Sequence, residues 1–142
     1  MGIERFVELA AELAERDREL PSRLAGVREG ATALHAIARS ALEHFQEELR
    51  KRGAEHLASF AIGPVEPDEK HVDCLQFRVS RGRWEILCVA KAREEGPKVT
   101  LVGPFRRGKP EKPCRDFPLR SDEVERGLED VLVELIRQAT DR

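Results

Sequence analysis

From Ser22 to Arg52 apolar residues recur in steps of three and four, and the helix they mark is too long for the strands that follow. Leu24, Val27, Ala31, Leu34, Ala38, Ala41 and Phe45 form a heptad-like seam, which Ile37, Leu42 and Leu49 widen to a broad face. Gly53 is a helix stop, and Arg50, Lys51 and Arg52 suit the negative end of the helix dipole. Such a helix runs about 45 Å at ~1.5 Å per residue. The strand-like segments downstream reach about 20 to 27 Å at ~3.3 Å per residue. The helix therefore overhangs any sheet this chain can build by roughly four turns. Three outcomes fit: a bend near Gly26 or Gly30, an antiparallel hairpin with a preceding helix, or pairing with another chain.

A shorter helix is expected before it, because Phe6, Leu9, Ala10, Leu13 and Ala14 follow helical spacing with Glu4, Glu8, Glu12 and Glu15 outside. Pro21 is expected to break or restart the helix there. After Gly53 the period changes. Leu57 to Ile62 reads as a strand, followed by the loop from Gly63 to Asp68; Val72 to Val79 and Trp84 to Lys91 are the clearest strands. Val99 to Val102 makes a fourth strand, after a turn through Arg93, Glu94, Glu95, Gly96 and Pro97. Cys114 to Phe117 makes a short fifth, held to an edge by Pro113 and Pro118. Ser121 then caps a helix whose stripe is Val124, Leu128, Val131, Leu132, Leu135, Ile136 and Ala139. The expected class is α+β in one domain over residues 1–142. It comprises a helical segment (1–52, a short helix plus a long one), an antiparallel four- to five-stranded meander (55–118) and a C-terminal amphipathic helix (121–140).

The central hairpin allows a register to be predicted. Pairing Val79 with Trp84, Phe77 with Ile86 and Leu75 with Cys88 gives a wholly apolar face and sets Arg78 opposite Glu85. A slip of one residue puts Leu75, Phe77 and Val79 beside Leu87, Glu85 and Arg83, destroying that face. The slip would also set Cys74 directly opposite Cys88, whereas in the predicted register the two lie on opposite sides and form no disulfide. The second face carries Val72, Cys74, Leu87 and Val89, too apolar to stay fully wet, so some covering is expected.

Composition excludes more than it selects. The 142 residues carry 27 acidic and 25 basic side chains, a formal charge of −2. The 37% charged fraction is high, but the signs nearly cancel, which argues against coating nucleic acid or a membrane surface. No apolar run approaches the ~18 residues of a membrane span. Three cysteines with no C-x-x-C suit a reducing compartment, and acidic residues come too early for a signal peptide, so the cytoplasm is expected. Phe6 stands where a myristoylation signal needs Ser or Thr.

Chemical motifs are sparse. His35, His44, His56 and His71 show no metal-ligand spacing, and no nucleophile elbow, Walker or dinucleotide fingerprint occurs. His71, Asp73 and Cys74 are the one dense cluster, but on a strand Cys74 points away from the other two. Catalysis is left without a mechanism, and no cofactor or metal is expected. The leading expectation is a non-enzymatic interaction module that self-associates as a homodimer, or binds another protein, through Leu24, Val27, Ala31, Leu34, Ala38, Ala41 and Phe45. An alternative is a small-molecule or catalytic cleft lined by Phe77, Trp84 and Ile86. A third is anion or nucleic-acid binding through Arg106, Arg107, Lys109, Lys112 and Arg115 on a stiff loop. Nucleic acid is disfavoured because Phe105 is the one aromatic nearby for stacking.

Overall fold

The computed structural model describes residues 2–68, 71–93 and 95–141; the side chain of Val72 lies outside the described residues, as does Glu94 of the expected turn. The element order is α1 (Glu4–Lys51), a 3-10 turn (Glu55–Leu57), β1 (Ala61–Ile62), β2 (Glu66–Asp68), β3 (His71–Arg81), β4 (Trp84–Lys91), β5 (Lys98–Arg106), β6 (Cys114–Pro118) and α2 (Asp122–Thr140). The class is α+β with an antiparallel sheet, as expected.

The two expected N-terminal helices are one. α1 runs through Pro21 without a break over 48 residues, about 72 Å at ~1.5 Å per residue. Proline removes one N–H, and the Asp17 carbonyl that this N–H would meet sits in an exposed stretch where water can serve it. The hairpin alternative for the first two helices is therefore corrected: they are collinear.

The sheet has six strands in the order β1-β3-β4-β5-β6, with β2 also on β3. β1 and β2 share the outer edge of β3, pairing with Val79–Ser80 and with residues 71–76. Of the expected strand from Leu57 to Ile62, Leu57 ends the 3-10 turn, residues 58–60 are irregular and Ala61 and Ile62 form β1, while the expected loop after it holds β2. Central-hairpin pairing differs from the prediction by two positions: Val79 faces Ile86, Phe77 faces Cys88, Leu75 faces Ala90, and Arg81 faces Trp84. The cause is the turn. Gly82, at φ +59°, takes the first of two loop positions, where a primed turn demands positive φ. A shift of two keeps every side chain on its predicted face, so the apolar face survives. Arg78 still reaches Glu85, diagonally, at 3.4 Å. Cys74 and Cys88 are both free thiols.

Both helices lie on that apolar face. Val27, Ala31, Leu34, Ala38 and Leu42 of α1 and Val124, Leu128, Val131, Leu132 and Leu135 of α2 share one core with Leu75, Phe77, Val79, Ile86, Cys88, Val99 and Leu101. Close approach is built in. A Cβ on Gly30 would stand 2.5 Å from a Leu119 methyl, and one on Gly127 would stand 2.5 Å from the Phe117 ring. His35 adds a polar tie: its Nε2 donates to the Gly63 carbonyl at 2.8 Å, and its ring edges Phe77.

The opposite sheet face carries no helix among the described residues. Leu87, Val89 and Val102 are half-buried there. Part of the expected covering comes from the chain's own long side chains. Arg78 and Arg107 reach the buried Glu85 carboxylate, and Lys112 lies over the Phe105 ring at 5.1 Å.

Candidate association site

The first turns of α1 project beyond the sheet. From Glu4 to Glu19 every residue is exposed, and the first fully buried residue is Val27. The sequence makes this stretch helical through good helix formers and ion pairs on its outer face. Arg16 donates to Glu12 at 3.0 Å, Arg18 to Glu15 at 3.2 Å and Arg23 to Glu19 at 2.7 Å. Such exposed pairs contribute only about 0.3–0.5 kcal/mol each. The other face is apolar and uncovered: Ile3 is 75% exposed, Phe6 64%, Val7 61%, Leu9 49% and Leu13 51%. Val133 on α2, at 42%, is the one other large apolar side chain exposed among the described residues.

Where this arm leaves the body there is a cleft of about 320 Å³, lined by Ser22, Arg23, Gly26, Val27, Ala92, Arg93, Pro97 and Arg120. Its walls are apolar, and its charged lining is three arginines brought together from α1, the β4–β5 turn and the β6–α2 connection. Each arginine has a carboxylate outside the lining: Glu19 for Arg23, Asp73 for Arg93, and Glu29 at 4.0 Å for Arg120.

The residues singled out from sequence are placed as follows. Of the α1 seam, Val27, Ala31, Leu34 and Ala38 face the sheet of their own chain, Leu24 and Phe45 are half-buried, and Ala41 is exposed. Phe77 and Ile86 are fully buried at 2% and 1% exposure, and Trp84 packs against the same core. They fill space between sheet and helices rather than line a cleft.

The expected basic loop is shorter than predicted, because Gly103 to Arg106 belong to β5 and Cys114 and Arg115 to β6. Gly103, at φ +105°, accompanies an irregularity where β5 pairs with the Glu85–Leu87 stretch. Three of the five cations are engaged internally: Arg107 with Glu85, Lys112 with Phe105 and Arg115 with Glu134.

Within the His71, Asp73 and Cys74 cluster the Cys74 thiol donates to Asp73 Oδ1 at 3.4 Å, while the other partners lie outside it. His71 Nδ1 meets Asp68 at 2.8 Å, and Asp73 is held by Arg93. Burial, with Asp73 beside it, pushes the Cys74 thiol up to about 11, and burial alone pushes Cys88 to about 12. Neither supplies thiolate near neutral pH. No group of His, Cys, Asp or Glu among the described residues is arranged to hold a metal ion, and no described helix is long and apolar enough to cross a membrane.

The chain thus presents a two-layer α+β body with a projecting helical arm. Comparison with family models, curated proteins and solved structures finds no match. The apolar stripe of the arm was visible as periodicity, but its exposure was not. The arginine cleft had no sequence signal, since its members stand far apart in the chain.

Proposed function

We propose that the protein is a self-associating interaction module whose association element is the projecting part of α1, acting by assembly rather than by catalysis. One observation carries this reading: Phe6, Leu9 and Leu13 stay about half exposed or more along one side of a helix that is exposed at every residue from Glu4 to Glu19. A free helix of that length is marginal in water, and most helical stability in proteins comes from burial of an amphipathic face. The site moves accordingly from the expected seam, whose centre is spent inside the body, to the stripe N-terminal of it.

The reading predicts a closed dimer in solution. Light scattering and sedimentation at tens of micromolar test it. The wild-type chain is expected to be dimeric and the variant Phe6→Glu/Leu13→Glu monomeric, with the β-sheet signal in circular dichroism unchanged. A wild-type monomer at these concentrations would overturn the reading.

A further inference from the structure

We infer that two copies associate by an antiparallel crossing of their arms, in which the acidic first turns of one arm dock at the arginine-lined cleft of the other. This rests on the self-association proposed above and adds the direction of pairing and the docking site.

The charge along α1 is polarised. Glu4, Glu8, Glu12 and Glu15 stand against Arg5 alone in the first stretch, whereas Arg16, Arg18, Arg23 and Arg28 outnumber Asp17 and Glu19 in the next. Parallel pairing would set acid against acid and base against base. Antiparallel pairing sets each acidic stretch beside a basic one, which is the electrostatic complementarity that fixes orientation between helices.

Position agrees with charge. The apolar stretch from Ile3 to Leu24 has its midpoint at Leu13 and Ala14. A two-fold axis near Leu13 puts Phe6 of one copy opposite Leu20 of the other, and Glu4 opposite Ser22. Moving the axis to Glu15 puts Glu4 opposite Gly26. For any axis between these limits, the N-terminal turn of one copy arrives at the stretch of α1 that lines the other copy's cleft. Among the described residues that lining offers Arg23, Arg93 and Arg120, each already facing one carboxylate outside it, and the exposed Pro97 as apolar wall beside the buried Val27 and Ala92. The acidic turn beginning at Glu4, with Ile3 and Phe6 beside it, matches both features.

Two measurements test this. In a Cys114→Ser background, where the remaining thiols are buried, Glu4→Cys/Arg23→Cys is expected to oxidise to a covalent dimer, and Glu4→Cys alone is not. Cross-linking of the single variant as readily as of the double one would establish parallel pairing and overturn the inference. Second, Arg23→Glu/Arg120→Glu is expected to weaken the dimer about tenfold or more by sedimentation, with Glu4→Arg/Glu8→Arg restoring most of the loss when added. Dimerisation indifferent to both pairs of substitutions would also overturn it. A wild-type monomer would instead refute self-association itself, so the two failures are distinct. Should the arginine variant misfold, the cross-linking pair still decides, because it leaves Arg93 and Arg120 in place.

Discussion

The two ends of α1 share a period and differ in burial. Between Val27 and Leu42 the buried positions are 5% exposed or less, and two of the five are alanines. Before Glu19 the stripe Phe6, Leu9, Ala10, Leu13 and Ala14 holds two alanines as well, yet Phe6, Leu9 and Leu13 stand about half exposed or more. The small residues let the helix approach the sheet and α2 closely, as Gly30 does against Leu119. The large ones of the arm stay exposed. Amphipathic spacing thus names the face that wants cover, while residue size hints at how close the cover must come.

This contrast can be broken most sharply by truncating a side chain in the body. Leu34→Ala removes a side chain that is 4% exposed in the shared core and is expected to cost about 2–5 kcal/mol in chemical denaturation. Leu9→Ala, in the arm, is expected to leave body stability within about 0.5 kcal/mol of wild type. Equal losses at the two sites would mean that arm and body fold as one unit.

Pro21→Ala sharpens the boundary between them. An interior proline costs a helix about 3 kcal/mol, and here the helix continues through it. Hydrogen exchange should therefore slow in residues 4–20 of the variant and stay unchanged in β3 and β4. Unchanged protection of the arm would show that Pro21 does not limit it.

The smallest effect separates the halves by pH. The thiols of Cys74 and Cys88 titrate near 9 when unfolded but are raised to about 11 and about 12 in the body. A raised folded value means the unfolded state loses its proton first. The stabilisation is then whole below pH 9 and is lost as pH climbs toward 11 and 12, by about 1.4 kcal/mol per pH unit for each thiol. Cys88→Ala is expected to flatten this alkaline slope, whereas substitutions in the arm, which holds no cysteine, should not alter it. A slope unaffected by Cys88→Ala would assign alkaline sensitivity elsewhere.

Much of the architecture was legible because it depends on neighbours in the chain. The span of β4, the start of α2 after Ser121 and the shared apolar face of the hairpin all follow from period and punctuation. The errors are equally instructive. Gly82 opens its turn one position later than assumed, which moved the register by two and spared the faces. Pro21, which commonly stops a helix, lies inside α1, where the carbonyl it leaves unpaired is exposed to water. Phe77 and Ile86 are buried in the core with Trp84 against it; a side chain that can line a cavity can also fill one, and spacing cannot tell these apart. Of the site, the stripe was readable and the cleft was not.

Sequence alone determined the element types, the order in which they come and the face each turns inward, because these are set by interactions a few residues long. Tertiary structure decided which half of α1 finds the sheet, that Arg23, Arg93 and Arg120 line one cleft at the foot of the arm, and that Phe6 stays 64% exposed. Those outcomes depend on contacts between segments tens of residues apart, where the geometry of the whole sheet, rather than any local preference, sets what lies within reach.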